Sequence, residues 1–110
     1  MELSSHEERG CTVLKLDGRL DTLATPSFDT RWKQWVDGGG RKLVLDVSAL
    51  RYISSSGLGS IVALAKRLQD LGGAMAIAGL QGVVREVFQI TTLDKVIPVE
   101  SDVVGALGRI

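Results

Sequence analysis

Residues 41–78 are the part of the sequence that most constrains the fold. Residues 41–47, RKLVLDV, have an apolar centre that is typical of a strand covered on both faces by helices. Residues 57–71 then place apolar side chains at helical spacing, and residues 74–78, AMAIA, form a second short apolar strand. Two strands joined by a helix cannot form a hairpin. We therefore predict a right-handed βαβ unit and a parallel sheet.

The rest of the chain continues this alternation. Thr25 and Pro26 are a typical helix start, with Thr25 as the N-cap and Pro26 at the first helical position. The predicted strands are residues 11–17, 41–47, 74–78 and 95–99, and the predicted helices are residues 25–37, 57–71, 82–89 and a last one capped by Ser101. Because 110 residues suit one core, we predict a single α/β domain over residues 1–110. Its mostly parallel central sheet would have four to five strands, flanked by about four helices.

Charge and composition exclude several classes of function. The 13 basic and 13 acidic side chains balance, so no net field favours nucleic acid or an anionic membrane surface. One cysteine and one histidine can form neither an internal disulfide nor a Cys/His metal cluster. No apolar run approaches the roughly 20 residues that a membrane-spanning helix needs. We expect a cytoplasmic protein with no metal, no cofactor, no nucleic acid partner and no membrane insertion.

The usual enzyme signatures are missing. The chain has no P-loop and no Gly-x-Ser-x-Gly elbow, and the sequence after Gly57 and Gly59 lacks the third glycine of a dinucleotide-binding turn. A nucleophilic serine would need a base, and the only histidine, His6, lies in the polar first ten residues. We therefore predict that the protein is not an enzyme.

Three adjacent hydroxyls, those of Ser54, Ser55 and Ser56, lie between a buried strand and the predicted central helix. The first turn of a helix has unpaired N–H groups and the positive end of the helix dipole. A hydroxyl there caps the helix or, when phosphorylated, places its phosphate in a favourable field. Spacing alone favours capping, with Ser56 as the expected cap.

The sequence around these serines resembles the signature of STAS domains, the anti-anti-sigma (anti-sigma factor antagonist) family. The matching residues are Leu-Asp-Val-Ser at 45–48 and Tyr-Ile-Ser-Ser-Ser-Gly-Leu-Gly at 52–59. Gly-Arg-Leu-Asp at 18–21, Gly-Gly at 72–73, Ala-Gly-Leu at 78–80 and Val-Arg-Glu-Val-Phe at 84–88 follow the family pattern in order and spacing. The resemblance covers roughly residues 13–99 and implies a STAS-like fold.

What the resemblance implies is a phosphorylation switch. The unphosphorylated protein would bind an anti-sigma factor that is also a serine kinase, which frees a sigma factor for transcription. Phosphorylation of Ser55 would end the interaction, and a serine phosphatase would restore the binding form. The implied partner surface contains the phosphorylated serine, its neighbours and an adjacent turn, namely Asp21, Thr22, Ser54, Ser55, Ser56, Gly57 and Leu58.

Several alternatives stay open, and one of them is that Ser54 or Ser56 is the modified serine instead of Ser55. In the family an aspartate usually precedes the target serine, and Ser54 occupies that position here, so the charge that a kinase would meet is absent. Asp21 has a purely structural interpretation as well, because a short carboxylate in a turn often binds its own backbone. STAS domains also serve as accessory subunits of transporters, including lipid-trafficking ABC systems and anion carriers, and there they bind the ATPase subunit.

Overall fold

The computed structural model describes all 110 residues. The strands are β1 (Glu2–Glu8), β2 (Cys11–Leu20), β3 (Lys42–Ile53), β4 (Ala74–Ala78) and β5 (Val99–Glu100). The helices are α1 (Thr25–Asp37), α2 (Ser55–Asp70), α3 (Gly82–Ile90) and α4 (Val103–Leu107), and Leu93–Lys95 form a single 3-10 turn. The predicted α/β class, with a mostly parallel five-stranded sheet and four helices, is confirmed.

The five strands lie in the sheet in the order in which they occur in the sequence. Strand β1 pairs antiparallel with β2, and all later neighbours are parallel. The predicted βαβ unit is therefore present as β3, α2 and β4. Parallel strands end at the same edge of a sheet, so the carboxyl ends of β2, β3 and β4 bring their following loops together.

The sheet is covered unequally on its two faces. Helices α1, α2 and α3 contribute to a cluster of 19 buried side chains that includes Phe28, Ile61 and Phe88. On the other face α4 packs Ala106 and Leu107 against a smaller cluster of seven buried residues. Cys11 belongs to this second cluster, where it is a small buried side chain.

Four strands differ from the prediction, and one of them is β2, which continues to Leu20 beyond its predicted end at residue 17. Strand β1 falls in the polar first ten residues, where only Leu3 and Glu8 are half-buried and the rest are exposed. Strand β3 continues through residues 48–53, which we expected to be a loop, because it goes on pairing with β2 as far as Ile53. Strand β5 contains only Val99 and Glu100, whereas a strand over residues 95–99 was predicted.

Two helix caps also differ from the prediction. Ala24 occupies the N-cap position of helix α1 without a side-chain hydrogen bond, and the helix begins at Thr25, with Pro26 in its first turn. Helix α4 is capped by Asp102, whose side chain accepts a hydrogen bond from the N–H of Gly105 at 2.8 Å, and not by Ser101. In both cases the helix starts within one residue of the predicted position, and a neighbouring residue occupies the N-cap position.

Candidate functional site

The site lies where β2 and β3 end side by side. Leu20 and Ile53 are paired in the last register position of the two strands. The N–H of Ser54 then donates to the carbonyl of Leu20 at 2.9 Å, which continues the pairing by one bond. As a result, the turn that follows β2 and the serine loop that follows β3 lie next to each other.

Ser54 caps helix α2. Its backbone is extended (φ −86°, ψ 168°), and its Oγ accepts a hydrogen bond from the N–H of Gly57 at 3.1 Å. The hydroxyl also donates to the carbonyl of Leu20 at 3.3 Å. The prediction that Ser56 is the cap is wrong, because β3 pairs with β2 up to Ile53 and α2 already begins at Ser55.

Ser56 joins the starts of the two helices through hydroxyl groups. Its Oγ lies 2.9 Å from Oγ of Ser54 and 3.3 Å from Oγ1 of Thr25. Thr25 donates its own hydroxyl proton to the carbonyl of Asp21 at 2.8 Å. Since Ser54 and Thr25 each donate their one hydroxyl proton to a carbonyl, the single proton of Ser56 can be donated to either of their oxygens, one at a time.

Ser55 differs from both neighbours. It is the first residue of α2, its side chain is exposed, and its hydroxyl makes no hydrogen bond within the chain. The first N–H groups of a helix have no partner in the helix, and the positive end of the dipole lies there. A phosphate on Ser55 would therefore lie at the helix start with no structural contact to break.

Asp21 braces the neighbouring turn. Its Oδ1 accepts from the N–H of Ala24 at 2.9 Å, and its carbonyl accepts from the N–H of Thr25 at 3.0 Å. These bonds confirm the structural interpretation of Asp21, and a role in binding a partner stays a prediction. Thr22 is exposed in the same turn, and so available to a partner.

Gly57 and Leu58 lie at the base of the loop. Gly57 is buried, and a Cβ built on it would lie 2.7 Å from both the carbonyl oxygen and Cγ of Leu20. The start of α2 can therefore approach the end of β2 only with glycine at this position. Leu58 is half-buried against the core, so only part of its side chain is available to a partner.

Three further residues near the loop were not predicted as site residues. Leu23 is 90% exposed in the turn beside Asp21, and Tyr52 is 37% exposed at the end of β3. The guanidinium of Arg19 lies 4.2 Å from the centre of the Tyr52 ring, and the two residues are register partners. Leu23 could have been found in the sequence as an isolated large apolar residue in an otherwise polar turn.

The other reactive side chains lie apart from this site. His6 is exposed on β1 and contacts Glu8 at 3.1 Å, and Cys11 is buried under α4. No group of three or more histidine, cysteine or acidic side chains is placed to hold a metal ion. None of the helices combines the length and the apolar character needed to cross a membrane.

The fold and the site together define a small α/β domain that presents a free hydroxyl at a helix start. The model of the STAS domain family matches residues 2–106. BtrV of Bordetella bronchiseptica, whose name assigns it to the anti-sigma factor antagonists, is 32% identical over 99 residues, which cover 90% of this chain and 85% of BtrV. The chain therefore belongs to the STAS domain family, as its sequence signature predicted.

Solved structures share the fold at lower identity. A Thermotoga maritima protein assigned to the anti-sigma factor antagonists superimposes with a TM-score of 0.93 at 21% identity, covering 98% of this chain and 93% of that chain. SpoIIAA of Bacillus, solved in its phosphorylated form, gives a TM-score of 0.76 at 20% identity, covering 98% of each chain. These similarities confirm the predicted STAS-like fold.

Proposed function

We propose that this protein is an anti-sigma factor antagonist whose partner is an anti-sigma factor with serine kinase activity. Binding would occupy the anti-sigma factor and so regulate transcription by the sigma factor. The observation that supports this most is the Ser55 hydroxyl, which is exposed and unbonded at the first position of α2. The names of BtrV and SpoIIAA, both anti-sigma factor antagonists, point to the same function.

The proposed docking surface surrounds Ser55. It contains the serine loop from Ser54 to Ser56 with the helix residues Gly57 and Leu58, and the turn of Asp21 and Thr22. Leu23 adds an apolar side chain that is 90% exposed beside that turn. A partner bound over this turn would remove the apolar surface of Leu23 from water, which favours binding. We expect the unphosphorylated form to bind through this surface.

Phosphorylation of Ser55 would end binding for an electrostatic reason. The phosphate carries about −1.5 to −2 charges at pH 7 and is strongly hydrated. A close protein contact would have to remove that water, and burying an uncompensated charge costs several kcal/mol. The contact is therefore lost even though the remaining surface is unchanged.

Ser54 at the usual aspartate position is compatible with this switch. The Ser54 side chain performs the capping that a carboxylate would perform at the same place, because Oγ accepts from the N–H of Gly57. What is lost is the negative charge, so recognition by the kinase would depend on the remaining surface.

A switch that works repeatedly also needs an enzyme that removes the phosphate. A serine phosphatase would act on the phosphorylated form and restore binding. The protein itself would act by binding, without catalysis and without a cofactor, in the cytoplasm where its partners are.

The test combines phosphorylation with binding. The protein is incubated with ATP and the serine-kinase anti-sigma factors of its own cell, and its intact mass is measured. We expect one phosphate on the wild type and on the Ser56→Ala variant, and none on Ser55→Ala. In a binding titration Ser55→Asp should weaken the complex by at least about 30-fold, which corresponds to about 2 kcal/mol.

The control is Ser4→Asp, which adds the same charge at an exposed position on β1. It should bind like the wild type. A phosphate on Ser55→Ala would contradict the assignment of the site, and unchanged binding of Ser55→Asp would contradict the switch. A wild type that no kinase modifies but that co-purifies with a transporter ATPase would favour a transporter accessory subunit instead.

A further inference from the structure

An apolar groove of about 600 Å³ lies between α2, the start of β4 and the segment that precedes β5. Val62 and Ala65 of α2 line one side of it, and Val96 and Pro98 line the other, with Met75 of β4 between them. Val62 is 39% exposed and Val96 is 75% exposed, so apolar side chains on both sides are open to solvent. A groove with apolar sides is a site that a protein segment can fill.

Strand β4 pairs with β5 over only part of its length, and its backbone is unpaired at Met75, inside this groove. The N–H of Ile77 donates to the carbonyl of Pro98 at 2.8 Å, and the N–H of Gly79 donates to the carbonyl of Glu100 at 3.0 Å. The next bond of this ladder would run from the N–H of residue 98 to the carbonyl of Met75. Proline has no N–H, so Pro98 ends the ladder at this point.

Met75 therefore keeps one open donor and one open acceptor. Ala74 donates its N–H to Arg41 at 2.8 Å, which shows that the N–H of Met75 points to the opposite side, toward the groove. No backbone or side-chain group of the chain bonds to that N–H. Because this N–H faces the groove, an occupant of the groove can supply the acceptor that it lacks.

The unpaired N–H and carbonyl of Met75 indicate which backbone conformation would bind in the groove. A donor and an acceptor on the same side of one residue are the pairing unit of a β-strand, and an extended peptide satisfies both. A second copy of this chain presents the same recessed edge between Val62 and Val96, so two such edges cannot meet. An extended segment of another protein can enter the groove.

Charge indicates a further property of the occupant. The charged side chains that line the groove are Lys66 and Arg109, and no acidic residue lines it. Arg109 is paired with Glu100 at 2.5 Å, whereas Lys66 is exposed and has no ion pair. An occupant with a carboxylate near its apolar side chain would complement Lys66.

The groove is also continuous with the proposed docking surface. Ser55, Gly59, Val62 and Lys66 are spaced by four, three and four residues, which places them on one face of α2. At 1.5 Å per residue, Val62 lies about 10 Å along the helix from Ser55. A partner bound at Ser55 therefore needs to extend only two helical turns to reach the groove.

We propose that the protein partner bound at Ser55 also inserts an extended segment into this groove. The segment pairs with the backbone of Met75, places an apolar side chain between Val62 and Val96, and directs a carboxylate to Lys66. This inference rests on the function proposed above, because it assigns a second contact of the same partner.

The test uses amide hydrogen exchange of the full chain with and without the serine-kinase anti-sigma factor, in the absence of ATP. In the free protein the amide of Met75 should exchange faster than the paired amides of Ala76 and Ile77. In the saturated complex its exchange should slow by at least about tenfold.

Binding of variants gives an independent measurement. Val96→Asp should weaken the complex at least about tenfold, because it places a carboxylate where the acidic occupant binds, and Lys66→Glu should do the same. The matched controls are Val104→Asp on α4, whose side chain is 64% exposed outside the groove, and Lys15→Glu on β2. Both controls should bind like the wild type.

The outcomes separate the two proposals. If binding is lost in Ser55→Asp but Val96→Asp binds normally and the Met75 amide gains no protection, the groove inference is overturned and the switch stands. If the wild type binds no such kinase, both proposals fail. Protection of Met75 that depends on the concentration of this chain alone would show a second copy as the occupant and overturn the inference.

Discussion

At the residue scale, the three serines are chemically alike but have different surroundings. Ser54 caps α2 and the Ser56 hydroxyl lies within hydrogen-bond distance of the hydroxyls of Ser54 and Thr25, while the Ser55 hydroxyl bonds to no group of the chain. Spacing in the sequence could not separate them, because the helix start depends on where β3 stops pairing with β2. The sequence predicted the wrong cap, and phosphorylation of Ser55 stays a prediction.

The capping role of Ser54 predicts a stability difference within the loop. Ser54→Ala removes the acceptor for the N–H of Gly57 and should lower the free energy of unfolding by about 1 kcal/mol. Ser54→Asp keeps an acceptor at the same place and should retain wild-type stability. Urea denaturation measures both, and Ser55→Ala is the control, expected within about 0.5 kcal/mol of the wild type. Equal losses in Ser54→Ala and Ser55→Ala would contradict this division of roles.

Gly57 and Gly59 give a matched pair on the same helix. A Cβ on Gly57 would meet the Leu20 backbone at 2.7 Å, whereas a Cβ on Gly59 would meet nothing within 4 Å. Gly57→Ala should therefore destabilise the protein by about 1–3 kcal/mol through overpacking. Gly59→Ala should stabilise it by up to about 1 kcal/mol, because alanine favours the helix. Thermal unfolding of both variants checks this, and a stabilised Gly57→Ala would show that the loop can shift.

At the element scale, α1 and α2 are held together by a polar contact in addition to the apolar core. Nε1 of Trp32 on α1 donates to Oγ of Ser60 on α2 at 3.0 Å, and Ser60 also bonds to Asp29. Ser60 is 6% exposed, so this contact is shielded from water. The sequence gave no signal of this contact, since Ser60 is 28 residues away from Trp32.

Removal of the Ser60 hydroxyl should weaken this helix pair. In Ser60→Ala the buried N–H of Trp32 keeps only Asp29, at 3.3 Å, as an acceptor. We expect a loss of about 1–3 kcal/mol in the free energy of unfolding and a changed tryptophan fluorescence spectrum. Ser27→Ala, at an exposed position of α1, is the control. An unchanged stability of Ser60→Ala would show that the apolar contacts alone hold α1 to α2.

At the scale of the whole molecule, the order of strands and helices was predictable and the extent of the sheet was not. Buried parallel strands such as β4 are apolar throughout and stand out in a sequence. Strand β1 is an edge strand with both faces largely wet, and the second half of β3 depends on its partner β2. Both β1 and the second half of β3 are strands because they pair with β2. Such pairing leaves little pattern in the local amino-acid sequence.

The second face of the sheet depends on the short helix α4. Leu107 is 6% exposed and packs with Cys11 and Val13, so Leu107→Ala should cost about 2–5 kcal/mol of unfolding free energy. Val104→Ala, on the exposed side of the same helix, should change stability by less than about 0.5 kcal/mol. Chemical denaturation of the two variants measures the difference. Similar stabilities would mean that α4 adds little to the folded state.

The separation of the free hydroxyl from the bonded ones has a consequence for repeated signalling. Adding or removing a group at Ser55 leaves the contacts of Ser54, Ser56 and Thr25 in place, so neither direction requires the chain to rebuild a helix end. In the proposed switch, phosphorylation and dephosphorylation would therefore leave the hydrogen bonds at the helix start intact in every cycle.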